Sequence, residues 1–146
     1  MSNDQSTLAV QPYLFFGGRC EEALEFYGSV MGAKIISMMR FSDAPEQPPG
    51  IAPGNEKKVM HASVRVGQTT FMASDGRCEG EPGFEGFTMS VTVPNDAEAE
   101  RVFGALSDSG KVEMPLMQTF WTSKFGMLED KFGVGWMVSV EHKPEA

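Results

Sequence analysis

Apolar and polar residues alternate along several short segments of the chain, and this pattern predicts most of its secondary structure. Apolar residues at every second position predict strands, whereas apolar residues three or four positions apart predict helices. The predicted strands cover residues 10–16, 34–41, 59–66, 69–75, 87–93, 111–118, 124–128 and 135–141. The predicted helices cover residues 20–31 and about 96–106.

Turn and capping residues mark the ends of these elements. Glu21 and Glu22 suit the positive end of the first helix, and Gly32 can end it. Asn95 can cap the second helix, with Glu98 completing a capping box. Ser42–Asn55 is rich in proline and predicts a long loop.

The order strand, helix, three strands occurs twice. The sequence therefore predicts an α+β fold, a single domain built of two βαβββ modules at about residues 9–75 and 86–141. One helix can cover only one face of a four-stranded sheet, so the other face meets solvent, a cavity or another sheet.

Alternation assigns residues to these second faces. We expect the apolar faces to pack on the helices; they hold Met60, Ala62, Val64 and Val66, then Phe71 and Ala73, then Phe87, Met89, Val91 and Val93, then Trp136, Val138 and Val140. The opposite faces hold His61, Ser63, Arg65, Thr70, Met72, Ser74, Thr88, Ser90, Thr92, Met137 and Ser139. This mixed polarity is that of a pocket lining or of an ordinary solvated face.

Composition excludes several classes of protein. The 146 residues carry a net charge of −8, and their only basic doublet is Lys57-Lys58, so no nucleic-acid partner is expected. No apolar run reaches the ~18 residues of a membrane span, and the polar N-terminus resembles no targeting peptide, which predicts a cytoplasmic protein. Cys20 and Cys78 are too few for a disulfide framework or a cysteine zinc site. We expect most of the eleven methionines to fill the core.

Few side chains are suited to catalysis. His61 can act as an acid, a base or a hydrogen-bond donor, although it can equally bind a neighbouring strand. Asp75 can orient His61 or bind a ligand, although an acid before glycine is first a turn residue, as is Asp130. Phe120, Trp121 and Phe125 form an aromatic group that can cap a ligand or join a core or dimer contact.

Several segments together resemble the glyoxalase/bleomycin-resistance/dioxygenase superfamily, which has the vicinal oxygen chelate fold. They are Pro12–Phe16, Glu25–Tyr27, Val59–Ala62, Met72–Asp75, Gln118–Trp121, Phe125-Gly126, Glu129–Gly133 and Trp136–Val138. Within the superfamily the chain is similar to the PhnB-like branch, some members of which are called 3-demethylubiquinone methyltransferases. The resemblance implies a curled mixed sheet around a cavity, usually within a homodimer.

The resemblance also implies where metal ligands would stand. Metal-dependent members hold a divalent ion with His or Glu from the first and fourth strands of each module. In this chain those positions fall at Pro12 (or Gln11 or Tyr13), Met72 (or Ser74), Thr88 (or Phe87) and Met137 (or Ser139). None of these residues offers a carboxylate or an imidazole, so no metal is expected. A Rossmann-type site for adenosylmethionine is not expected either, because the doubly wound pattern is missing.

The function predicted from these observations is the binding of a small organic molecule in the sheet cavity, without metal or other cofactor. The ligand-binding candidates are Ser63, Arg65, Met72, Ser74, Thr88, Ser90, Trp121, Met137 and Ser139, and the catalytic candidates are His61 and Asp75. The alternative is a divalent-metal lyase or dioxygenase with a rearranged site, which would use His61 with Asp75 or Glu141. Whether any reaction is catalysed stays open. A third alternative is a pure interaction module with a filled cavity.

Overall fold

The chain divides into two compact units, Met1–Glu81 and Pro82–Ala146. The computed structural model describes residues 8–46, 53–78 and 82–141 of them. In its described part, each unit has one α-helix and a four-stranded mixed sheet, in the order strand, helix, three strands. The predicted α+β class and the two βαβββ modules are therefore confirmed.

The first unit contains the first sheet. Its elements are β1 (Tyr13–Phe15), α1 (Cys20–Met31), β2 (Lys34–Arg40), β3 (Val59–Val66) and β4 (Thr69–Ser74), with a 3₁₀ turn at Phe41–Asp43. The strand order is β1-β4-β3-β2. β1 pairs with β4 in parallel, and the other neighbours are antiparallel. Because β1 is parallel to β4, the carboxyl ends of these two strands lie at the same edge of the sheet.

The second unit repeats this topology. Its elements are β5 (Met89–Val93), α2 (Asp96–Ser107), β6 (Lys111–Met117), β7 (Phe125–Glu129) and β8 (Gly135–Val140). The strand order is β5-β8-β7-β6, with β5 parallel to β8. Pro115 lies within β6, which is an edge strand, where a missing N–H is tolerated.

Each unit buries one face of its sheet together with one side of its helix. In the first unit the buried residues include Leu14, Ala62, Val64, Phe71 and Ala73 of the sheet, and Cys20, Ala23, Leu24, Tyr27 and Val30 of α1. In the second unit they include Leu128, Trp136, Val138 and Val140 of the sheet, and Ala99, Val102, Phe103 and Leu106 of α2. The buried positions recur three or four residues apart along each helix, which is the spacing that predicted both helices.

The helix ends follow the predicted chemistry in part. Gly32 closes α1 in the left-handed conformation, with φ of 71°. The Asn95 side chain caps α2 by accepting a hydrogen bond from the Glu98 N–H at 2.9 Å. The Glu98 carboxylate binds Arg101 instead of completing the capping box.

Two strands begin two or more residues later than predicted. β1 begins only at Tyr13, because Pro12 has no N–H for the ladder and Val10 is exposed. β5 begins at Met89 rather than Phe87, which was expected on the buried face but is 47% exposed. Gly86, with φ of 83°, turns the chain just before this edge strand.

The expectation that methionines fill the core is wrong for the described residues. None of the ten described methionines belongs to the buried core, which consists mainly of Val, Ala, Leu and aromatic side chains. The strand registers instead place Met39 and Met72 on the face of the first sheet opposite the buried residues.

The remaining connections lie partly outside the described residues. Of the predicted loop Ser42–Asn55, residues 47–52 are not described, and of the connection Gly76–Gly86, residues 79–81 are not described. Neither of the described α-helices, each of 12 residues, is long and apolar enough to cross a membrane.

Candidate functional site

The face of the first sheet that lies opposite its buried residues is called the open face here. Tyr13 of β1 pairs with Met72 of β4, Met72 pairs with Ser63 of β3, and Met39 of β2 pairs with His61. Paired residues point to the same side of a sheet, so these side chains share one surface. The predicted grouping of His61, Ser63 and Met72 on one face is therefore present.

An aromatic and hydrogen-bonded cluster forms on this open face. The Tyr13 hydroxyl lies 2.9 Å from His61 Nδ1, and Ser63 Oγ lies 3.5 Å from His61 Nε2. The Tyr13 ring stacks on the Phe15 ring, with 4.9 Å between centroids and 13° between planes. Tyr13 is 38% exposed and Phe15 is 50% exposed, so both rings offer apolar surface to a ligand.

The environment of Tyr13 changes its acidity. Partial burial raises the pKa of the Tyr13 phenol above its usual value of 10.0, and a charge on Cys20 would raise it further. Because the phenol keeps its proton at neutral pH, it can donate a hydrogen bond to His61 Nδ1. When Nδ1 accepts that hydrogen bond, the ring proton lies on Nε2, which is then the donor atom of the imidazole.

Asp75 does not orient His61, contrary to one prediction. It is 2% exposed, and its Oδ1 accepts hydrogen bonds from the Gly18 and Cys20 N–H groups, each at 2.8 Å. Its Oδ2 accepts one from the Val59 N–H, also at 2.8 Å. Asp75 therefore holds the start of α1 against β3, a structural role in which both of its oxygens accept backbone hydrogen bonds.

Ser74 and Arg65 occupy the two ends of the predicted lining. Ser74 is buried, where its hydroxyl accepts a hydrogen bond from the Gly76 N–H and lies 3.4 Å from the Val59 carbonyl oxygen. Arg65 is exposed near the start of β2, where it pairs with Lys34. The centre of the open face is thus formed by the Tyr13 cluster rather than by either of these residues.

The second sheet brings together most of the other predicted residues. Ser90 pairs with Met137, and Phe125 pairs with Ser139, so these side chains share the face opposite Trp136 and Val138. Trp121 contacts Phe125 edge to face at 5.4 Å and Phe120 at 4.9 Å between ring centroids, which confirms the predicted aromatic group. Thr88 lies just before β5, close to Gly135.

The residues at the expected metal-ligand positions do not fit a divalent ion. Within the first unit, the Met72 N–H donates to the Pro12 carbonyl oxygen at 2.9 Å, so these two positions are adjacent as the resemblance implies. In the second unit, Met137 occupies the corresponding position on β8, beside Ser90. Thioether and hydroxyl groups are poor ligands for ions that take imidazole and carboxylate. Within residues 8–46, 53–78 and 82–141, no three His, Cys, Asp or Glu side chains are grouped to hold a metal.

Tyr13 and Phe15 were not among the residues predicted to bind a ligand. Their signal was nevertheless present, because in the run Tyr13-Leu14-Phe15-Phe16 the buried Leu14 and Phe16 alternate with the other two. Two large aromatic side chains on the side opposite the core mark a surface that is available for binding.

Comparison with known proteins identifies relatives along nearly the whole chain. A family model described as 3-demethylubiquinone-9 3-methyltransferase matches residues 8–139. Protein YjdN of Escherichia coli (strain K12) is 33% identical over 140 residues, which cover 91% of this chain and 95% of YjdN.

Solved structures show the same similarity. Protein PA1353 from Pseudomonas aeruginosa has a TM-score of 0.81 and 41% identity, covering 94% of this chain and all of that one. A protein from Bacillus cereus, described as a putative 3-demethylubiquinone-9 3-methyltransferase, PhnB protein, has a TM-score of 0.75 and 30% identity, covering 92% of this chain and all of its own. A glyoxylase/bleomycin resistance protein/dioxygenase domain from Frankia sp. EAN1pec shares the fold at 10% identity, with a TM-score of 0.61 and 95% of each chain covered.

Proposed function

Because the chain belongs to the PhnB-like family of the glyoxalase/bleomycin-resistance superfamily, we propose that it binds a small organic molecule on the open face of its first sheet without using a metal ion. The observation that carries this proposal is the Tyr13–His61 hydrogen bond of 2.9 Å beside the exposed, stacked ring of Phe15. The family name alone supports no methyl transfer, since fold and function separate readily within superfamilies.

The cluster combines the two kinds of contact that small-molecule sites need. The Tyr13 and Phe15 rings provide a flat apolar surface, and Met39 and Met72 on the same face have adaptable thioether side chains. His61 Nε2 provides a directional donor, and its 3.5 Å separation from Ser63 Oγ is long enough for a ligand oxygen to compete for it. The ligand class is therefore a molecule with a planar apolar part and a carbonyl or carboxylate oxygen.

Thermal-shift screening with a library of aromatic ketones, amides and carboxylic acids tests this proposal. A compound that binds only the folded protein must raise its Tm. We expect compounds that do so to lose the effect in Phe15→Ala and His61→Gln and to keep it in Phe120→Ala, which removes a 97% exposed ring from the second unit. A library without any stabilising compound, or binding that survives both first-unit substitutions, contradicts the proposal.

The proposal also includes a cytoplasmic homodimer. The net charge of −8 supports a protein without nucleic-acid partners, and exposed Ile35 and Ile36 on the edge strand β2 provide apolar surface for a second copy. Light scattering after gel filtration should give about twice the chain mass of 15.9 kDa. A mass of one chain at micromolar concentration would rule out a stable dimer.

A further inference from the structure

A concave site separate from the open face lies in the first unit, at the edge of the sheet where α1 begins. It is a cavity of about 430 Å³ that forms between the turn before α1, the start of β3 and the end of β4. Its lining residues are Gly18, Glu21, Arg40, Gly54, Lys57, Lys58, Val59 and Asp75. None of them belongs to the Tyr13 cluster, so this cavity is distinct from the site proposed above.

Both acidic side chains in this lining already have fixed partners. The two oxygens of Asp75 accept three backbone hydrogen bonds. The two oxygens of Glu21 accept hydrogen bonds from the Arg40 guanidinium at 3.0 and 2.8 Å. These hydrogen bonds are the main reason why the pKa of Glu21 lies below its usual value, and the positive charges of Arg40 and Lys58 lower it further. Both oxygens of each carboxylate therefore already accept hydrogen bonds.

The two lysines lack such partners within the described part of the chain. Lys58 Nζ donates a hydrogen bond to the Gly18 carbonyl oxygen at 2.9 Å, and no described carboxylate lies within 4.0 Å of it. Lys57 Nζ makes no described hydrogen bond or ion pair. Neither ammonium group forms an ion pair with a carboxylate among the described residues, in a chain that has 20 acidic residues against 12 basic ones.

We propose that this cavity binds the phosphate group of a small molecule through Lys57 and Lys58. A phosphate carries about two negative charges near neutral pH, which matches the two ammonium groups. Hydrogen bonds between an ammonium and a phosphate oxygen are stronger than those between neutral groups. The cavity lining contains three cationic side chains and two carboxylates. Both carboxylates already accept hydrogen bonds from other groups of the protein, which lessens their repulsion of a bound phosphate.

Amide NMR on the whole chain tests this site, with inorganic phosphate and glycerol 3-phosphate as probes at constant ionic strength set with chloride. We expect saturable shifts at Gly18, Gly54 and Val59. Binding should be weaker in K57Q, because this variant lacks one of the two ammonium groups. The Lys57 ammonium makes no described contact, so its removal should not disturb folding. The double variant K57Q/K58Q should bind at least about tenfold more weakly. Lys34→Gln is the matched control, since it removes the same charge from the exposed start of β2.

The two probes separate the possible sources of the phosphate group. Tighter binding of glycerol 3-phosphate indicates an esterified ligand, and equal binding indicates that the phosphate group alone is recognised. The proposal is overturned if neither probe gives saturable shifts, if the shifts spread evenly over the surface, or if K34Q weakens binding as much as K57Q. Because the screen on the open face uses compounds without phosphate, failure of one proposal leaves the other to be judged separately.

Discussion

The carboxylate of Asp75 connects three segments of the first unit by hydrogen bonds. Its carboxylate accepts backbone hydrogen bonds from the turn before α1, from the first residue of α1 and from the first residue of β3. α1 has no side-chain cap of its own at Arg19, so Asp75 supplies that function from a position 55 residues further along the chain than Cys20. Asp130 has a comparable role in the second unit, where it binds the Phe132 and Val134 N–H groups and the Trp136 indole.

Removing the Asp75 carboxylate should therefore destabilise the protein. We expect Asp75→Ala to lower the free energy of unfolding by about 3 kcal/mol, because three backbone N–H groups would lose their hydrogen-bond partner. Urea denaturation followed by circular dichroism measures this loss. Asp108→Ala, at an exposed position after α2, should change the stability by less than about 0.5 kcal/mol. Equal effects of the two substitutions would refute the structural role.

Tyr13 provides a test of the environment of the open face. Because burial raises its pKa above 10.0, the folded protein retains this proton more strongly than the unfolded chain. The contribution of Tyr13 to the free energy of unfolding is therefore nearly constant below pH 10. It decreases as the pH rises above 10, because the unfolded chain releases the phenol proton before the folded protein does. The tyrosinate absorbance near 295 nm, taken as the difference between the native protein and Tyr13→Phe, should titrate above pH 10. A midpoint at or below 10 contradicts the assignment.

The packing of α2 on its sheet depends on a glycine, Gly126 of β7, which has no side chain. A Cβ on Gly126 of β7 would lie 2.6 Å from Phe103 Cε2 and 3.0 Å from the Met114 carbonyl oxygen. Gly126 therefore allows α2 and β6 to approach β7 closely, and the sequence alone gave no sign of this contact. Gly104 of α2 differs, since a Cβ there would meet nothing within 4 Å.

These two glycines predict opposite effects of the same substitution. Gly126→Ala should lower the free energy of unfolding by about 1–3 kcal/mol through overpacking. Gly104→Ala should raise it by about 0.5–1 kcal/mol, because alanine favours the helix and no contact opposes it. Thermal or urea unfolding of both variants measures the difference. Destabilisation by Gly104→Ala, or tolerance of Gly126→Ala, would contradict the packing described for α2.

For the whole molecule, the side chains at the expected metal-ligand positions favour the proposed binding protein over a metal enzyme. The positions at which the resemblance implies metal ligands are occupied by Pro12, Met72, Thr88 and Met137 in this chain. The competing prediction of a lyase or dioxygenase with a rearranged site needs His61 and Asp75 to share an ion. Asp75 already binds three N–H groups, and His61 contacts Tyr13 and Ser63.

Metal analysis decides between these alternatives. Protein purified without a histidine tag should contain Zn, Ni, Mn and Fe only in amounts far below one ion per chain. The same measurement on His61→Ala is the control, and it should give the same low content. Stoichiometric metal in the native protein that is lost in His61→Ala would overturn the metal-independent proposal.

The order of the elements, both helical stripes, the Asn95 cap and the Gly32 stop follow from the sequence alone, because they depend on periodicity and on neighbours within a few residues. Only the tertiary structure decided the partners of the candidate site residues. The Tyr13–His61 bond joins residues 48 positions apart, and the Cys20–Asp75 bond joins residues 55 apart. Such contacts depend on which strands become neighbours and in which register, and alternation along one strand carries no information about either.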